Sequence, residues 1–263
     1  MAFDPLNYTM SAPFPMTQPG DVGQYYTTEN CIKKYTPGQY AFTWDALYQY
    51  RIFKLVKNLS GGTLAAGDLV SCVNAASVGT ITAGTTTQIT TSGLTANDLE
   101  YQMIIVSDDA GAAGEAPEGE ASLCIGNTTT VIDLHPDYAF TAAIAASDTA
   151  SVVYINGVED AAASDERGFG HGSNGCMGVA MSAAPDNYWF WICQRGWVRA
   201  KNTDALVAGQ QVVAGTALIQ DASDGAQELV IGEIPVSQFA GTEASFATVH
   251  INCFDSIVLS GTP

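Results

Sequence analysis

Positive charge is scarce in this chain: nine Lys and Arg stand against 27 Asp and Glu, a formal charge of −18. That balance repels the phosphates of nucleic acid and of anionic membrane surfaces, so neither is an expected partner. Charge of either sign is sparse, at 14% of 263 residues, and Glu/Lys/Arg-rich stretches of helical period are missing. A helical core is therefore not expected. No segment approaches the roughly 20 apolar residues of a membrane span, and residues 1–5 (MAFDP) carry neither a basic nor an apolar leader region. The expectation is a soluble, unexported chain. Cys31, Cys72, Cys124, Cys176, Cys193 and Cys253 are widely scattered without a CxxC pair, which reads as reduced, buried thiols rather than a disulfide framework.

Constellations that carry chemistry are also missing. Residues 168–175 (GFGHGSNG) are glycine-rich but lack the Lys-Ser/Thr of a phosphate loop, and no βαβ pattern surrounds them; a flexible loop is the expectation. His135, His171 and His250 lie far apart with no HExxH spacing, and His250 and Cys253, three apart in a strand-like segment, fall on opposite faces. There is no G-x-S-x-G elbow. No catalytic, cofactor or metal site is expected, and the chain reads as non-enzymatic.

What is abundant is Gly, Ala, Thr, Ser and Val, the composition of strands and turns. Short segments rich in Val, Ile and Tyr recur between turn residues, at 51–56, 69–73, 102–106, 122–125 and 152–155. These are strand signatures. Residues 79–93 (GTITAGTTTQITTSG) suit an exposed hairpin or a loop, and 107–119 a long surface loop. Only 144–149 and 156–164 offer room for a short Ala-rich helix. The expected fold is all-β, a sandwich or barrel-like body over residues 46–263, divisible into units 46–165 and 166–263.

Ahead of that body, residues 1–45 hold five of the ten prolines, interleaved with tyrosines. Proline blocks helix and central strand while the aromatics need burial, so the segment reads either as an extended arm lying on another surface or as a strap across its own core. Five of the nine bases also fall near here: Lys33, Lys34, Arg51, Lys54 and Lys57. Together with Tyr25, Tyr26, Tyr35 and Tyr40 they form a candidate interaction set, matched to an acidic partner.

Two further patterns stand out. Residues 64–70 (LAAGDLV) and 206–212 (LVAGQQV) share L-x-A-G-x-x-V, each behind a Lys-Asn pair, Lys57-Asn58 and Lys201-Asn202. An apolar anchor, a glycine turning at φ > 0 and a Val entering a strand would explain it, and two copies could mark duplicated β units. Residues 188–198 (YWFWICQRGWV) carry three of the four tryptophans and are apolar on both strand faces, as in a strand buried on both sides; 185–187 (PDN) place a turn before it.

Taken in order, the small-residue segment 178–183, the turn 185–187, the aromatic strand 188–198 ending in Gly-Trp-Val and the A-G-x-x-V turn of 206–212 resemble head proteins of tailed bacteriophages. Residues 134–140 (LHPDYAF) leading to 146–149 (ASDT) are similar to the same group, and the resemblance covers residues 120–215. It implies a capsid decoration (cement) protein: a non-enzymatic structural protein of the virion that binds the outer capsid surface and stabilises it. The implied partner is the major capsid protein, with the chain a homo-oligomer on the capsid exterior after assembly in the host cytoplasm. A major shell protein itself would need a long spine helix, for which no periodic segment exists. The alternatives are a virion fibre or carbohydrate-binding β module, and a hydrolase on a β scaffold.

Overall fold

The computed structural model describes residues 22–45, 49–108, 115–161, 176–202, 206–207, 209–214, 219–221, 229–230, 232–234, 246–253 and 257–258. The Gly-rich 168–175, residues 1–21 of the expected arm and 109–114 of the expected loop lie outside them. In chain order the strands are β1 (Tyr25–Tyr26), β2 (Tyr40–Asp45), β3 (Gln49–Asn58) and β4 (Leu69–Cys72); then β5 (Ala76–Ser77), β6 (Ala83–Gly84), β7 (Gln88–Thr90), β8 (Met103–Asp108), β9 (Ala121–Asn127), β10 (Val131–Leu134) and β11 (Thr149–Val153). There follow β12 (Gly157–Asp160), β13 (Cys176–Ala180), β14 (Trp189–Lys201), β15 (Gln211–Ala214), β16 (Ile219–Asp221), β17 (Leu229–Val230), β18 (Gly232–Glu233), β19 (Phe246–Asn252) and β20 (Ile257–Val258). Among the described residues the helical elements are α1 (Thr28–Ile32) and one 3-10 turn, Pro136–Tyr138. The chain is all-β, as its composition requires.

It divides into two compact units, residues 73–157 and the remainder, 1–72 with 158–263. The expected boundary at residue 165 is not where the chain divides. Residues 73–157 form a continuous insertion between two paired strands, since β4 and β12 are antiparallel neighbours with Cys72 opposite Val158. A division by sequence halves cannot anticipate a unit that leaves and returns at adjacent points.

In the larger unit, β14, β13, β4, β12 and β3 follow one another in the sheet, and β3 also pairs β14, so these five strands close a ring. Its interior is apolar: Val56, Leu64, Val70, Cys72, Val158, Met177, Ala180 and Phe190 are buried together. β14 is the hub, pairing β1, β3, β13 and β19. That is why residues 188–198 are apolar on both faces: Trp189, Phe190, Trp191, Ile192 and Cys193 are all buried. The expectation for this strand is met.

The inserted unit carries a seven-stranded sheet, order β5-β11-β8-β9-β10-β7-β6. Its first and last strands are separated in sequence by residues 78–82 alone, which span at most about 21 Å. A flat sheet would place them about 29 Å apart at about 4.8 Å per strand, so the sheet must curl. Val78 shows the closure directly: its N–H donates to the Ala150 carbonyl at 3.0 Å, and its own carbonyl accepts from Thr91 Oγ1 at 2.8 Å. Alternation on the strands supplies the core, with Ile104 and Val106 of β8, Cys124 of β9, Ile132 and Leu134 of β10, and Ala150 and Val152 of β11 buried. Residues 144–149, which had room for a short helix, form none. A turn at 145–148 leads into β11 instead, and of 156–164, residues 157–160 form β12.

That turn is one of a set. In both L-x-A-G-x-x-V copies the anchor, Leu64 or Leu206, is fully buried, and the glycine takes φ +87 (Gly67) or +81 (Gly209). Asp68 N–H donates to the Ala65 carbonyl and Gln210 N–H to that of Val207, while the side chains of Asp68 and Gln210 accept from the N–H of Ala65 and Val207. The same doubly closed turn recurs at 145–148, with Ser147 at φ +84 and Asp148 Oδ2 accepting from Ala145 N–H. At 185–188 Asn187 holds φ +64 and Tyr188 N–H closes onto Pro185; proline has no N–H to satisfy, so no acceptor side chain is needed at 188. Each of these four turns leads directly into a strand.

Candidate interaction surface

The nine expected interaction residues separate into an inner and an outer set. β1 pairs β14 antiparallel, Tyr25 opposite Phe190 and Tyr26 opposite Trp189, which fixes the N-terminal segment on the hub strand. Successive residues of a strand point to opposite faces. Tyr26 therefore turns in and Tyr25 out. Tyr26 packs edge-on to Tyr35, and Tyr35 edge-on to Trp191, each pair 5.4 Å between ring centres, and Tyr26 and Tyr35 are buried. Within residues 22–45 the strap reading holds.

α1 starts because Thr27, in extended conformation, accepts the Asn30 N–H on its hydroxyl, 3.3 Å, an N-cap that the proline-rich surroundings concealed at the sequence level. Cys31 buries the inner face of this one-and-a-half-turn helix. Its outer side presents Ile32, 48% exposed, and it leads into Lys33 and Lys34, both exposed. Lys33 Nζ bridges Glu29 at 2.6 Å, and this hydrogen bond holds the Glu29 carboxyl below its usual range. Lys34 lies over the Tyr26 ring, 5.7 Å from its centre. Tyr25, 49% exposed, meets Tyr188 edge-on at 5.4 Å. Tyr25, Ile32, Lys33 and Lys34 thus belong to one short segment, residues 25–34, and Ile32 is a member that the sequence reading passed over.

The other members differ. Tyr40 and Arg51 are half-buried, and Lys54 and Lys57 are buried on β3. Lys54 lies opposite Tyr40 in the β2–β3 ladder with its ammonium 5.7 Å from the ring centre, and burial lowers its pKa from the usual lysine value. Arg51 stacks over Phe53 at 5.4 Å. Tyr26, Tyr35, Lys54 and Lys57 are consequently corrected from docking residues to residues of the chain's own interior. Long cationic side chains were assigned to the surface by default; here their alkyl stems fill a strand that is covered on both faces.

Burial pushes the thiols of Cys31 and Cys193 up to about 12, so both stay protonated at neutral pH. His135 Nδ1 accepts the Asp137 N–H and caps the 3-10 turn, while His250 packs edge-on to Trp197 at 4.9 Å and burial lowers its pKa. Among the described residues no three His, Cys, Asp or Glu side chains converge as a metal ion would require. No family model, curated protein or solved structure matches this chain.

Proposed function

We propose that this chain is a non-enzymatic structural protein of a tailed-phage virion, which binds the outer capsid surface and stabilises it. The observation that carries the proposal is the outer side of residues 25–34: two exposed apolar side chains, Tyr25 and Ile32, beside Lys33 and Lys34, on a chain of net charge −18. Glu29 offsets the charge of Lys33, so contact area from Tyr25 and Ile32 supplies affinity while Lys34 selects an acidic partner face. The segment is held by β1 on the hub strand, so little ordering cost opposes docking. The major capsid protein is the proposed partner and the chain acts as a homo-oligomer on the shell. The resemblance of residues 120–215 to phage head proteins points the same way.

The test is co-sedimentation of the chain with shells of the cognate major capsid protein that carry no decoration. Binding is expected, weakened about tenfold or more in the double variant Lys33→Glu/Lys34→Glu and weaker at high salt, since exposed charges are screened beyond roughly 8–10 Å. Unchanged sedimentation of Tyr25→Ala, Ile32→Ala and the double lysine variant would sink the docking face.

A further inference from the structure

The inserted unit carries a second surface that the capsid reading does not use and does not depend on. Across β7, β10 and β9 the backbone places Gln88, Asp133 and Gly126 in one row, Gln88 opposite Asp133 and Asp133 opposite Gly126. Beyond that row the register shifts, Leu134 pairing Cys124, so Ile125 is the extra residue of a β-bulge. Bulges re-aim side chains, and Ile125 is 39% exposed. With Pro136, opening the 3-10 turn, and Thr87, beside Gln88, these residues line most of an open cleft of about 490 Å³ that Thr85 and Leu134 also border. That volume is in the range of small-ligand sites.

Three features of the cleft point to one ligand chemistry. Gln88 Nε2 donates to Asp133 Oδ1 at 2.8 Å, which fixes both planar groups and leaves Asp133 Oδ2 as an acceptor and the Gln88 amide with a second N–H and its oxygen. A carboxylate and an amide held side by side match the alternating donors and acceptors of neighbouring hydroxyls. Ile125 and Pro136 add apolar area suited to the C–H face of a sugar ring. Finally, no φ in the glycine-favouring region and no neighbour within 4 Å of an added Cβ require glycine at 126, so the floor beside Asp133 is open without any need of the fold. The lining carries one acid and no base, which disfavours anionic ligands, and the backbone of β10 is paired on both sides, so no peptide strand can add there.

We infer that this cleft binds a neutral saccharide, gripping adjacent ring hydroxyls between Gln88 and Asp133 over the floor at Gly126. The test is saturation-transfer NMR on the full chain with lactose, maltotriose and chitobiose, alongside a sialylated trisaccharide. At least one neutral sugar should bind, with Kd of about 0.1–1 mM, more tightly than the anionic one. Gly126→Val fills the floor and should abolish that signal with the melting temperature unchanged; Gln88→Ala, at an exposed position, should weaken it about tenfold. Should Gly126→Val lower the melting temperature, Gln88→Ala alone decides. The inference is overturned by no signal from any neutral sugar, by preference for the sialylated one, or by binding that survives these substitutions.

Discussion

Asp68 does two things with one carboxylate. Oδ2 closes the turn on Ala65 N–H and Oδ1 meets Lys201 Nζ, each at 2.5 Å, so the first copy of the repeated turn is tied to the Lys-Asn pair that precedes the second. The Asp68 side chain is 9% exposed and that of Lys201 31%, so breaking the pair strands the acid more than the base. Asp68→Ala removes both bonds and should cost about 2–3 kcal/mol; Asp68→Asn keeps an acceptor for Ala65 and should cost about 1 kcal/mol. Calorimetric melting of both variants checks this, and equal losses would mean that the turn bond contributes nothing. None of this was legible before the fold was known: Asp68 is one of 27 acids in the sequence, and its partner lies 133 residues away.

At the scale of elements, the turn family shows what pattern reading reaches and where it stops. Two copies were visible because Gly67 and Gly209 hold the φ > 0 position in the open. Ser147 and Asn187 occupy the same position, and behind those residues the motif disappears; residues 144–149 then offer, on alanine content alone, only room for a short helix. The hub strand β14 was legible because burial on both faces leaves no polar alternation to misread. The backbone also assigns different costs to the copies. An L-residue in left-handed conformation loses about 1–2 kcal/mol, against about 0.5–1 kcal/mol for the extra chain entropy of glycine. Ser147→Gly should therefore raise stability by about 0.5 kcal/mol. Gly67→Ala should lower it by about 1–2 kcal/mol, since the new Cβ meets both the strained φ and the Phe246 ring at 2.5 Å. Thermal melts decide, and a loss on Ser147→Gly would contradict the shared geometry.

At the scale of the whole molecule, the all-β class followed from composition, whereas the insertion of residues 73–157 did not: it holds no Lys or Arg, but the base-free stretch runs from residue 58 to residue 166 and so marks neither junction. The N-terminal segment was ambiguous for a related reason: prolines and tyrosines are required equally by a strap and by an arm. Its described part has two sides, Tyr26 and Tyr35 facing in while Tyr25, Ile32 and Lys34 face out. Deleting residues 1–45 cannot separate a strap from a docking face. It removes β1, α1 and β2 and uncovers Trp189 and Trp191 on the hub strand. Truncating a single buried aromatic already costs about 3–5 kcal/mol, so the deletion approaches the roughly 5–15 kcal/mol that holds a typical domain folded. Point variants can separate the two roles. Tyr35→Ala should destabilise the chain by about 3–5 kcal/mol while the surviving folded protein still sediments with undecorated shells; Lys33→Glu/Lys34→Glu should melt as the parent does and bind the shells about tenfold or more weakly. Were the tyrosine variant to lose shell binding at temperatures where it remains folded, the inner set would have to be part of the docking face, and the division of this segment into an inner strap and an outer surface would fall.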